Sequence, residues 1–261
     1  MTQVSSLTDI VVQLAGLIVI GALMMLFVRY FHFRSTGQSI SSPRQSAVWA
    51  LCAIGISLAL VMALLLGNTG GGSGETPTSH TTQAASAGDV VGQLLVAVVA
   101  ISPVLIVMKR RRETLRSTGV TSVNLGRAVL LSVVLIAALV TWCSLVSRRC
   151  DAATAVRTRG IWALLQFAIV GFAEEFAYRG YLQSRLIAWL GGNRGWVLAS
   201  VIMAMAHVSH RVFSLQMTAG QALSGSAALI PVSLFLGFVM MKTKNIVAPG
   251  LVHTAINWLD L

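Results

Sequence analysis

Charge is what this chain has least of. Only 10% of its 261 residues are Asp, Glu, Lys or Arg, where a soluble globular domain carries about 25%. Hydrophobic residues make up 56%, and the mean hydropathy is +0.79. This composition excludes a soluble protein, and no polar stretch is long enough to form a soluble domain of its own. Acidic residues are scarcest, eight against 19 Lys and Arg, and the net charge is +11. Nucleic acid is not the partner this implies, because the basic residues flank apolar runs and no aromatic-basic patch accompanies them. The charge fits Lys and Arg gathered in cytoplasmic loops that orient membrane helices, with anionic lipid a secondary partner for Lys109-Arg110-Arg111-Arg112.

Cysteine is nearly absent too. Cys52, Cys143 and Cys150 form no CxxC pair. Cys52 lies in an apolar run and reads as core packing, while the spacing of the other two settles no disulfide. Several chemistries lack their motif. There is no GxSxG elbow for a nucleophilic serine and no HExxH zinc helix. The Gly-rich stretch has no following Lys-Ser or Lys-Thr to cradle phosphate. No internal repeat is visible, which removes the usual signature of a transporter.

What the chain does have is apolar runs. A membrane span needs about 20 such residues, and residues 10–28, 48–66, 90–108 and 128–146 supply four. The first has no basic segment before it and no small-residue cleavage signal after it, so it reads as a retained span. Residues 67–89 are rich in Gly, Ser and Thr and read as a flexible linker, with His80 in solvent. Residues 160–190 form a longer fifth element, which Gly191-Gly192-Asn193 breaks. Residues 196–210, 227–241 and 246–259 are shorter. Short helices suit burial in protein beside a water-filled cavity.

The expected fold is therefore all-α. It is a polytopic membrane bundle of about eight transmembrane helices enclosing a polar catalytic cavity, in a multi-pass protein of the bacterial plasma membrane. It is a single membrane domain, with four spans in residues 1–159 and a catalytic four-helix region in residues 160–261. The basic loop at 109–127 belongs in the cytoplasm, which places both termini and the Gly-rich loop outside. Four arginines between 148 and 159 then also fall outside, against the positive-inside tendency. Either this connection is partly membrane-embedded or one span is miscounted.

Polar groups inside the apolar runs are few: Glu174, Glu175, Arg179, His207, His210, His253 and Asn257. An ionisable residue at the centre of a membrane helix costs roughly 2.5–3.5 kcal/mol on insertion scales and is a functional candidate for that reason. Glu175 and Arg179 are four apart and can pair on one helix face. Glu174 points about 100° away and has no basic residue one turn on. His253 and Asn257 share a face. His210, near the end of its run, caps the helix or meets solvent. Taken singly, each histidine is most simply a hydrogen-bonded structural residue. Together, a carboxylate, two imidazoles and an amide on successive apolar helices have the parts for hydrolysis by water. A carboxylate removed from water becomes a better base near neutral pH. A histidine beside it orients the water, and a second histidine with an asparagine amide donates to the oxyanion. One such donor is worth roughly 2.7–4 kcal/mol of barrier.

Glu174-Glu175-x-x-x-Arg179, then His207, then His253-x-x-x-Asn257 resembles the CPBP family, the CAAX-protease and bacteriocin-processing (Abi) intramembrane proteases with their Rce1-type endopeptidases. The motifs EExxxR and HxxxN match in full. In FxxxH, Met203 stands where phenylalanine is usual. The resemblance covers about residues 162–258. It implies an eight-helix bundle with a conical cavity and a membrane-tethered protein or peptide as substrate, prenylated or not. It also implies Glu174 as the water-activating carboxylate with His207 as partner, and His253 and Asn257 as the oxyanion hole. Glu175 and Arg179 are then a structural pair. The family is named both as metalloprotease and as metal-independent glutamate protease. No cofactor is needed for a glutamate-water mechanism, while a divalent metal such as zinc on Glu174, His207 and His253 stays open. Two other readings compete: a non-catalytic scaffold or immunity protein, and a proton-coupled transporter using the buried carboxylate.

Overall fold

The computed structural model describes residues 7–34, 40–69, 85–147 and 152–259. Most of the Gly-rich linker with His80, together with Arg148, Arg149 and Cys150, lies outside these residues. Helix α1 spans Leu7–Phe31, α2 Pro43–Thr69, α3 Ala87–Arg110 and α4 Leu125–Trp142. Helix α5 spans Ala152–Glu174 and runs on as a π-helical segment, Glu175–Gln183, into α6, Ser184–Leu190. Helices α7 (Gly192–Phe213), α8 (Ala219–Ala227), α9 (Ile230–Thr243) and α10 (Val247–Leu259) complete the bundle. Among the described residues there is no strand, and seven helical stretches are long and apolar enough to cross a membrane. The final helix, with 13 residues, is shorter than a span.

Local chemistry sets several boundaries. Ser86 caps α3 with a capping box closed by Asp89, so the helix starts three residues before the apolar run at 90. Gly191 adopts φ of 85° between α6 and α7, at the break its Gly-Gly-Asn context predicts. The sixth apolar run proves longer than its hydrophobic part. Helix α7 has 22 residues because Gly192, Asn193 and Arg194 at one end and Arg211 at the other are helical although polar. Cys52 is exposed on α2, facing the lipid side rather than the core, because that helix buries its Ala47, Ala50 and Ala53 face instead.

Two cores hold the bundle. One joins α2 and α3 to the π-helical segment, α6 and α7 through Ile54, Val104, Tyr181, Leu182, Leu186 and Ala199. The other joins α1 and α4 to α9 and α10 through Met24, Leu131, Leu135, Leu236 and Val252. Helix α5 runs between them and packs chiefly on α10 and α3.

The basic connections meet at one end. Arg127 donates to the His32 carbonyl at 2.6 Å, and Asn124 bonds both Arg34 and the Thr243 carbonyl. Fully buried Arg185 reaches Glu113 at 2.9 Å and Ser117 at 2.6 Å, and lies over the Tyr181 ring. Gly180 makes this close docking feasible: a Cβ there would come within 2.6 Å of the Thr118 carbonyl oxygen.

At the opposite end the chain turns into α5 at Gly160, whose φ of 64° interrupts the helix. Arg159 donates to the carbonyls of Asn257 and Trp258 at 2.6 and 3.1 Å, and the Trp258 indole donates to the Gly160 carbonyl at 3.2 Å. Arg159 thus satisfies the free carbonyls at the end of α10. Its place outside the basic end therefore has a structural reason, while Arg148 and Arg149 lie outside the described residues.

Candidate active site

Three elements bring the site together. Glu174 closes α5, His207 lies late in α7, and His253 lies at the middle of α10. The two adjacent glutamates part company as their helical offset predicts. Glu175 is fully buried and faces Arg179 Nη1 at 3.3 Å, while 28% of the Glu174 side chain stays accessible. The π-helical widening begins at Glu175. Such widenings interrupt regular helix geometry and recur at functional sites.

Glu174 is met from both sides. His207 Nε2 lies 3.9 Å from its Oε1, and His253 Nε2 lies 3.8 Å from its Oε2. Each ring is oriented by its other nitrogen. His207 Nδ1 donates to the Met203 carbonyl at 3.0 Å, since a carbonyl can only accept. His253 Nδ1 bonds Glu175 Oε1 at 2.9 Å. Both hydrogen bonds place a proton on Nδ1, so in the neutral rings both Nε2 atoms turn a lone pair towards Glu174.

These Nε2–carboxylate separations exceed a direct hydrogen bond, which ends near about 3.2 Å. They leave room for a water molecule that donates one proton to Glu174 and the other to one of the two Nε2 atoms. They also exceed the roughly 3.3–3.4 Å between ligand atoms of a tetrahedral zinc with bonds of about 2.0–2.1 Å. Among the described residues no group of three or more His, Cys, Asp or Glu is arranged to hold a metal ion. As they stand, Glu174, His207 and His253 do not fit a metal centre.

Asn257 is one turn beyond His253 and half-buried; the bond from Arg159 holds its backbone carbonyl, not its side chain. His210 is exposed. Met203 is 5% exposed and supplies the carbonyl that orients His207. A backbone group does this work, so this bond does not depend on which side chain stands at 203.

Glu174 also borders a cavity of about 140 Å³ between α2, α3 and α5, lined among others by Ile54, Leu58, Val96, Gln93 and Tyr178. Sequence reading missed Tyr178. It stands four residues after Glu174, and that spacing is the signal that could have found it. The bond between Glu175 and His253 was also missed, because 78 residues separate them.

Residues 156–259 match the family model Rce1-like, described as type II CAAX prenyl endopeptidase Rce1-like. No curated protein and no solved structure matches the chain.

Proposed function

We propose that this chain, through residues 156–259 a member of the CPBP/CAAX protease family, is an intramembrane endopeptidase in which Glu174 activates water. The match over residues 156–259 supports a peptidase, and the seven apolar helical stretches support a multi-pass membrane protein. The residue roles are our reading. The observation that carries them is the accessible Glu174 carboxylate, set in an apolar bundle and faced by two imidazole Nε2 atoms at 3.8 and 3.9 Å.

Glu174 takes a proton from the bound water, and the hydroxide oxygen adds to the scissile carbonyl carbon. The carbonyl electron pair moves to oxygen. The side-chain amide of Asn257 donates to that oxyanion. His253 adds an Nε2–H when it carries both ring protons, as a ring held between Glu175 and Glu174. Collapse of the tetrahedral species breaks the C–N bond, and Glu174 returns its proton to the departing amine. His207 keeps the water in line with the carboxylate. A base and a positioned donor each contribute on the order of 10²–10³-fold.

The substrate is a membrane-tethered protein or peptide. The cavity beside Glu174 is walled by Ile54, Leu58, Val61 and Val96, which suits an aliphatic group next to the scissile bond. The test is direct. Purified protein in liposomes receives an internally quenched, farnesylated peptide ending in a CAAX box, and its unprenylated counterpart. Cleavage of either at one defined bond, read by mass spectrometry, is the expected result. A folded protein that cleaves neither, while losing stability when Glu174 is changed, supports the scaffold reading instead.

A further inference from the structure

Ser233, on α9, is fully buried, and no step above uses it. Its hydroxyl sits at a junction of three segments. It donates to the Ser200 carbonyl on α7 at 2.9 Å and accepts from Arg179 Nη2 at 3.1 Å. A hydroxyl has one proton, so the bond to Ser200 fixes its direction and leaves the lone pairs for the guanidinium. Arg179 Nη2 also approaches the Ser233 carbonyl at 3.4 Å. Among the described residues Arg179 makes hydrogen bonds to Ser233 alone, since its Nε and Nη1 have no hydrogen-bond partner. What Nη1 faces is Glu175 Oε1 at 3.3 Å. That same oxygen holds His253 Nδ1 at 2.9 Å, while Glu175 Oε2 has no hydrogen-bond partner.

One oxygen of Glu175 therefore carries both the cation and the histidine, and the cation is anchored from behind by one serine. We infer that Ser233 is a positioning residue for His253. By fixing the Arg179 guanidinium it fixes the Glu175 carboxylate, and so the ring whose Nε2 faces Glu174. The inference rests on the hydrolytic reading above. It adds a residue on a helix that carries none of the catalytic set. The packing explanation is that Ser233 merely ties α9 to its neighbours. The molecule contains its own control for that. Gln183 Nε2 donates to the Gly237 carbonyl at 2.9 Å, joining the same π-helical segment to the same α9 one turn away, without touching the Arg179–Glu175–His253 chain.

The experiment compares wild type, Ser233→Ala and Gln183→Met on whichever of the two peptides wild type cleaves. Both variants lose a buried interhelical bond, and both are expected to melt a few degrees lower, on the order of 2–5 °C. Only Ser233→Ala is expected to lose turnover, by about 10–100-fold in kcat with KM changed less than about twofold. Gln183→Met keeps kcat within about twofold. A second readout needs no substrate. In protein labelled at histidine nitrogen, the Nδ1 proton resonance of His253 shifts or broadens in Ser233→Ala and stays in place in Gln183→Met. Wild-type turnover and an unmoved His253 resonance in Ser233→Ala overturn the inference while leaving the hydrolytic reading standing. Failure of wild type to cleave either peptide counts against the hydrolytic reading; the resonance then still decides whether Ser233 orients the ring.

Discussion

At the residue scale, two neighbouring carboxylates do different jobs, and the difference is burial and partner. Glu175 is sealed with Arg179 and His253; Glu174 faces the cavity. Removing one member of a buried ion pair strands the other charge, at a cost of roughly 3–5 kcal/mol. Glu175→Gln is therefore expected to destabilise the protein strongly, and Glu174→Gln hardly at all, when both are followed by thermal unfolding in the same detergent. Equal melting temperatures for the two variants contradict the assigned roles. The offset between the two was legible from their positions on a helix together with Arg179. The tie from Glu175 to His253 was not, because a hydrogen bond between distant segments leaves no trace in spacing. Met203 was legible as a departure from the family pattern, but its backbone contribution was not, since any residue carries a carbonyl.

At the element scale, the fifth element does most to place the site. It enters through Gly160, carries Glu174 at the end of its regular part and then widens before Arg185 docks on the basic end. A residue with a Cβ at the Gly160 φ of 64° is strained. With ψ at −171° this is a conformation essentially only glycine adopts, so Gly160→Ala is expected to cost about 1–3 kcal/mol and to loosen the hold of Arg159 and Trp258 on the end of α10. Hydrogen exchange should show faster opening of residues 255–259, and unchanged exchange there contradicts this view of the turn. The apolar runs marked this element and its break at Gly191. They did not show the π-helical segment, because widening by one residue per turn alters hydrogen bonding and not composition. The runs also cut α7 short, since its polar ends are helical but not greasy.

At the scale of the whole molecule, the basic loops gather at one end, and Arg159 stands at the other as a cap for α10. Cys143, at the Arg159 end, is disulfide-bonded, and disulfides persist on the oxidising side of a membrane. With the basic end inside, Ser122→Cys should react with a membrane-impermeant maleimide only after permeabilisation, and Ala153→Cys should react in intact cells. The reverse pattern contradicts the orientation. Composition alone made the membrane class and the helical fold readable, because apolar length is a whole-chain property. The four arginines between 148 and 159 were readable only as an anomaly; for Arg159 the reason was hidden because its partners are two carbonyls nearly a hundred residues further on.

The claim on which the rest depends is that one accessible glutamate makes the water reactive. Single-turnover cleavage by Glu174→Gln, with enzyme in excess over the quenched peptide, tests it most directly. The account expects a rate lower by at least about 10²-fold, the loss of a base acting in the transition state, in a protein whose melting temperature is that of wild type. A rate within about tenfold of wild type contradicts it.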